Sequence, residues 1–177
     1  MRMKAEYLAG IIDGEGTFQL QVRFRKIVGR FQINPRVQFG FKNLPEEAQL
    51  VFDIQRFLKA GKIYQTAGII RFTTTNVNDT IKVCKLLLPY LRIKKEQCRK
   101  LLSIAELIKS KKNRRYIKGF KTTSFDIYTK NEMLKVVTIA TTMNASKQTE
   151  KYRNTLSRDT KYYIEKIEEI YHQSEPV

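Results

Sequence analysis

The stretch Tyr7-Leu8-Ala9-Gly10-Ile11-Ile12-Asp13-Gly14-Glu15-Gly16 decides how the rest of the chain is read. Its first part reads as a helix with small residues along one side. Gly10 and Gly14 stand four apart and share a face, with Ala9 beside them. Such a strip lets two helix backbones approach more closely than Leu or Ile would allow. Gly14-Glu15-Gly16 should end the helix, because glycine tolerates the left-handed conformation in which helices commonly stop. Asp13 and Glu15 are then left at a helix C-terminus, whose partial negative charge disfavours acids unless a cation answers them. Two readings follow from the spacing. One is a divalent-cation site, with the Glu15 carboxylate and the Gly14 carbonyl as oxygen ligands. The other is an ordinary acidic helix end beside a turn.

After Gly16 the periodicity changes from helical to alternating. Phe18, Leu20, Val22 and Phe24 point one way, with Gln19, Gln21, Arg23 and Arg25 opposite. A second run sets Phe31, Ile33, Pro35, Val37, Phe39 and Phe41 against Arg30, Gln32, Asn34, Arg36, Gln38 and Lys42. Period two over this length predicts two long strands with one buried face and one wet face, turning near Lys26–Gly29. No Asp or Glu occurs from Gly16 to Pro45, where six Lys or Arg do. A merely solvated face would mix both signs. Base and amide side chains alone are the groups that pair with guanine and adenine edges and with phosphates.

Asn43 with Glu46 three residues later predicts a helix start, running to about Leu58 and burying Ala48, Val51, Phe52 and Phe57. Two shorter strands follow, Lys62–Thr66 and Ile69–Thr75, with Tyr64, Thr66, Arg71 and Thr73 as candidates for the same polar face. Helices are expected over Val77–Leu88, Lys94–Lys112, Asn131–Met143 and Ser157–Gln173. Lys109–Lys121 carries seven bases and no acid, either an exposed loop near phosphates or a solvated linker. The order predicts an α+β fold, an αββαββα core with a four-stranded antiparallel sheet and C-terminal helices. One domain is expected over 1–177, with its core at about 1–112 and a helical extension at about 113–177.

Composition limits the partners. A 177-residue chain that is 42% hydrophobic can bury a core, and a formal net charge of +17 calls for a polyanion. Nucleic acid comes first and an anionic membrane surface second. No apolar run is long enough for a membrane span, and the N-terminus has no secretory pattern, so no membrane partner and an intracellular location with the genome are expected. Cys84 and Cys98 have no metal spacing, and a single histidine, His172, rules out zinc fingers and disfavours a histidine base.

Leu8 to Gly16 resembles the signature of the LAGLIDADG homing endonucleases. Ile11 and Ile12 stand in its apolar pair, Asp13 as its first acid and Glu15 as its second. Gly14 and Glu15 replace the more usual Ala and Asp, and Glu keeps the carboxylate. Leu91-x-x-Lys94-x-x-Gln97 after Pro89 is similar to the family's lysine segment. The resemblance implies an intron-encoded, site-specific double-strand DNA endonuclease that hydrolyses phosphodiesters at a long pseudo-palindromic site. It implies Glu15 and Gly14 as ligands of a divalent metal, Mg²⁺ by preference, and Lys94 beside the catalytic water or phosphate. Asn43 falls where relatives place a polar active-site residue, although an N-cap role explains it equally. Relatives often add a second base in the following helix, where Glu46 and Glu47 stand here, so either Lys42 or Lys95 substitutes or the pocket is less basic. Asn144, Ser146 and Lys147 resemble a phosphate-touching C-terminal loop.

There is one motif in the chain, and two strands of a duplex need two sites. The small-residue helix supplies the remedy, a homodimer packed through Leu8, Ala9, Gly10, Ile12 and Asp13 about a two-fold axis. Double-stranded DNA is the expected partner. RNA would replace or join it if the chain is an intron maturase, and a non-catalytic DNA-binding protein on the same fold is the other alternative. Glu15 favours cleavage over both.

Overall fold

In the computed structural model, residues 3–25, 30–112, 128–143 and 150–172 are described, apart from the side chains of 25, 30 and 150–159. The elements run in order α1 (Ala5–Glu15), β1 (Thr17–Arg25), β2 (Arg30–Lys42), α2 (Pro45–Leu58), β3 (Lys62–Gln65), β4 (Ile69–Thr73), α3 (Val77–Leu87), α4 (Lys95–Lys112), α5 (Lys130–Thr142) and α6 (Glu150–His172). The four strands form one sheet in the order β1-β2-β4-β3, with β4 antiparallel to both β2 and β3. This is the α+β architecture that the alternation and helix periodicities predict. The turn at Lys26–Gly29 lies outside the described residues, as does the basic run beyond Lys112. Lys109, Lys111 and Lys112 are in α4, not in a loop.

The chain divides into two compact units, Met1–Gln19 with Asn34–Ser110, and Leu20–Ile33 with Lys111–Val177. In the first, Leu8 and Ile12 of α1, Phe18, Val37, Phe39, Ile70 and Phe72 of the sheet, and Val51, Ile54 and Leu58 of α2 are buried. Each such side chain contributes about 1.5–3 kcal/mol on leaving water. Phe39 and Phe72 are register partners, and their rings stack with centroids 5.0 Å apart. Directly beneath, Gly61 has φ 73°, and a Cβ there would lie 2.5 Å from the Phe72 ring, so both space and backbone require glycine.

Where β4 stops, two buried hydroxyls finish the ladder. Thr74 Oγ1 accepts from the Val37 N–H at 2.9 Å, and the Thr80 hydroxyl donates to the Pro35 carbonyl at 3.0 Å. Pro35 has no N–H to lose, which is why β2 tolerates it there. In α2 the sequence reading needs correction. Phe52 is 41% exposed, and Ile54 and Leu58 take the core positions instead. The helix N-cap is Leu44, without a side-chain cap, not Asn43.

The second unit holds the distal parts of β1 and β2 and the C-terminal helices. Phe31 packs against Phe24 at 5.1 Å and against Tyr163 at 5.8 Å, and the Tyr163 hydroxyl donates to the Val22 carbonyl at 3.1 Å. Helix α5 opens with a capping box between Thr129 and Glu132. Lys111 adds an ion pair to Glu132 at 2.9 Å. Burial pushes the Glu132 carboxyl up, but the Thr129 N–H and Lys111 outweigh it and hold it below its ordinary value.

Candidate active site and nucleic-acid face

The end of α1 is built from two reciprocal hydrogen-bond sets. The Lys94 ammonium donates to the carbonyls of Ile12 at 2.9 Å, Gly14 at 3.1 Å and Gly16 at 2.6 Å. The Ile12 carbonyl also takes the Gly16 N–H at 3.0 Å, closing the last turn of the helix, and a cation is the group that the dipole at a helix C-terminus prefers. In return the Asp13 carboxylate accepts from the N–H groups of Arg92 at 2.8 Å, Ile93 at 3.3 Å and Lys94 at 2.9 Å, just before α4. Each helix end is thus neutralised by a charge from the other. Burial pushes the Asp13 carboxyl up, but the Arg92, Lys94 and Ile93 N–H groups and the Lys94 charge outweigh this and hold it below 3.8.

Several expectations change here. Lys94 is 4% exposed and its ammonium points into the carbonyl cage, whereas the sequence reading sent it to water or phosphate. Gly16 ends the helix at φ −82°, in extended backbone and not left-handed. It is glycine because a Cβ would lie 2.7–2.8 Å from Ile12 atoms. Leu8, Ala9 and Ile12, which the sequence reading set at a dimer face, are buried in their own chain, and Asp13 is engaged within its own unit. A helix turns about 100° per residue, which carries Ala9 away from Gly10. The open side holds Tyr7, Gly10 and Gly14, and a Cβ on either glycine would meet nothing within 4 Å.

Glu15, two residues beyond Asp13, is exposed. It lines an open cavity of about 610 Å³ with Thr17, Gln38, Gly40, Lys42, Glu47 and Arg71 among its walls. Asn43 is not among them. Its amide donates to the Thr66 carbonyl at 2.7 Å and its oxygen accepts from Gln65 at 2.8 Å, which ties β2 to the β3–β4 turn. Sequence reasoning missed Gly40, and met Glu47 only as the occupant of the place where relatives carry a base. The signal for Gly40 was present, since it interrupts the polar positions of β2 between Gln38 and Lys42.

On the sheet, the register places Gln38 opposite Thr73, Gly40 opposite Arg71 and Lys42 opposite Ile69, all on one face. A second open cavity, about 430 Å³, gathers the predicted Arg36, Gln38, Tyr64, Thr66, Arg71 and Thr73. Thr73 is only 8% exposed and its hydroxyl donates to the Thr74 carbonyl at 3.3 Å. Gln19 and Asn34 are half-buried in the same unit. In the other unit Arg23 and Gln32 are exposed, and with the Gln21 amide turned over its oxygen accepts from the Arg23 guanidinium at 2.8 Å. Arg25 and Arg30 lie in β1 and β2, with side chains outside the described residues, as are Asn144, Ser146 and Lys147.

A metal is implied by the resemblance, and the donors fit one of modest demands. Among the described residues no three His, Cys, Asp or Glu side chains gather into a metal-binding group. Glu15 offers a hard carboxylate open to solvent, and the Gly14 carbonyl keeps a second lone pair beyond its bond to Lys94. That is enough for an ion that keeps most of its waters and takes other oxygens from a phosphate. Among the described residues no helix is long and apolar enough to cross a membrane.

Comparison with known proteins agrees with this fold. A search of curated proteins by sequence found no match. Among solved structures, the archaeal intron-encoded homing endonuclease I-Vdi141I complexed with DNA aligns with a TM-score of 0.69 at 20% identity, over 93% of this chain and 94% of that one. The homing endonuclease I-CvuI aligns at 18% identity over 92% of this chain and 93% of its own, in two complexes. One is with the I-CreI target in 2 mM Mg, its DNA not cleaved, at a TM-score of 0.67. The other is with its own target in 2 mM Ca, at 0.68. The sequence itself matches the LAGLIDADG endonuclease family over residues 8–103, so the chain belongs to that family.

Proposed function

We propose that this chain is a site-specific, metal-dependent double-strand DNA endonuclease that works as a homodimer. The observation that carries this reading is the exposed Glu15 carboxylate, sharing a cavity with Lys42 and Arg71 beside a sheet face of Arg, Gln, Thr and Tyr. Structures of similar fold hold DNA in the presence of Mg or Ca, which supports DNA as the polyanion that a net charge of +17 requires.

Glu15, with the Gly14 carbonyl, would hold the divalent ion. When bound, that ion supplies Lewis-acid polarisation of the phosphate and lowers the pKa of a bound water. The chain's own residues do the rest. Lys94 and Asp13 fix the end of α1 against the start of α4, which places Glu15 at a constant distance from the sheet. Arg36, Gln38 and Tyr64 set the duplex in register by contacts to base edges and phosphates. In the reaction a water oxygen bonds to phosphorus, one phosphorus–oxygen bond to sugar breaks, and the freed sugar oxygen ends as a hydroxyl.

Two such centres are needed for two strands. The bare face of α1, Tyr7, Gly10 and Gly14, would meet its counterpart in a second copy, replacing the interface set expected from sequence. That arrangement puts both Glu15 residues near a two-fold axis and implies a pseudo-palindromic target. Incubating the protein with a randomised duplex library and Mg²⁺, then sequencing the cut ends, tests the reading. Paired cuts within a near-palindromic consensus are expected. Binding to duplex with no cleavage under any divalent cation would overturn it.

A further inference from the structure

The proposed reaction needs positive charge beside the phosphate, and the family's expected source is spent here. Lys94 has three ammonium protons and three backbone carbonyls within 3.1 Å. The following helix offers Glu46 and Glu47 in place of a base, and Glu47 faces the Glu15 cavity with its Oε2 buried and without a hydrogen-bond partner. Lys95 is not on the cavity wall. Two cations are, Lys42 and Arg71.

We infer, resting on the nuclease reading, that Arg71 is the catalytic cation of the reaction centre, contacting the scissile phosphate itself. Three observations single it out. Arg71 lines both the Glu15 cavity and the base-reading cavity, so a duplex lying on the face passes over it to reach Glu15. Its cross-strand partner is Gly40, which adds no side chain to the cavity floor. A Cβ at position 40 would lie 3.1 Å from the Ile70 carbonyl and 3.6 Å from the Arg71 Cβ. Glycine inside a strand marks such a close approach. Finally, Arg71 is exposed and takes part in none of the ion pairs among the described residues. Its planar fork can hold two non-bridging phosphate oxygens at once, which the Lys42 ammonium cannot. As the water oxygen adds to phosphorus, those oxygens gain negative charge, and Arg71 neutralises it until the bond to the leaving sugar oxygen breaks.

The test is single-turnover cleavage by saturating protein with Mg²⁺, on the duplex that the wild type selects, alongside affinity, base preference and melting temperature. Arg71→Ala should slow cleavage by roughly 10²–10³-fold, as loss of one preorganised charge donor does. Affinity should change less than tenfold, with base preference and melting unchanged. Arg71→Lys should recover only part of the rate. A cutting wild type with an equally fast Arg71→Ala would overturn the inference alone. So would a rate restored by changing one base pair, which would make Arg71 a reading residue. A wild type that cuts no duplex would overturn the nuclease reading and this inference with it.

Discussion

One side of α1 is closed by its own chain, and the other is bare. Leu8, Ala9 and Ile12 are buried, and Asp13 is bonded to three N–H groups before α4. Tyr7, Gly10, Gly14 and Glu15 lie open around the same turns. Two carboxylates only two residues apart therefore do different work. Asp13 offers its oxygens to peptide hydrogens and is spent on structure, while Glu15 keeps its oxygens for solvent or a ligand. Polar groups engaged inside a fold are costly to remove, whereas polar groups left open add little to stability and are available for chemistry.

The contrast breaks first at Glu15. Glu15→Gln should cut cleavage by about 10³-fold or more, the several kcal/mol that a metal's charge stabilisation represents, and leave duplex binding and melting in place. Retained cleavage would remove the carboxylate from the reaction. On the closed side, Lys94→Met keeps the stem but takes the ammonium away from three carbonyls, of which Ile12 keeps the Gly16 N–H, and we expect a loss of about 3 kcal/mol in urea unfolding. A variant that unfolds like wild type while losing cleavage would return Lys94 to the reaction. Asp13→Asn should cost about 1 kcal/mol at neutral pH, since a partly exposed carboxylate is screened. The sign with pH follows from the depressed folded pKa: the Asp13 contribution is full above the unfolded value near 3.8 and fades as pH falls through the folded one. The gap between wild type and Asp13→Asn should therefore narrow in acid, and a gap independent of pH would deny the carboxylate its role. Smallest in stability is Gly10→Leu. It meets nothing in its own chain, so melting should shift by less than about 1 kcal/mol in ΔG. If the bare face is the dimer face, sedimentation should show monomers; an unchanged dimer places the interface elsewhere.

Which parts could be read in advance depends on the range of the forces involved. The strands of the polar face are visible in sequence because alternation is local, and Arg36, Gln38, Tyr64 and Arg71 do share one cavity. The end of α1 within a residue or two is similarly local. Phe52, expected in the core and found 41% exposed, shows where periodicity is ambiguous, since Ile54 and Leu58 fit the buried stripe of α2 as well. The fate of Lys94 was hidden because its partners lie 78–82 residues away.

By itself the amino-acid sequence determined the order of helices and strands, the basic and amide face free of acids, and the motif that places the chain in its family. Those are properties of near neighbours and of summed charge. Only the tertiary structure decided that Asp13 and Lys94 close two helix ends, that Glu15 shares a cavity with Arg71, and which side of α1 stays bare. Each of those depends on which distant atoms arrive within hydrogen-bond reach, and nothing in local spacing fixes that.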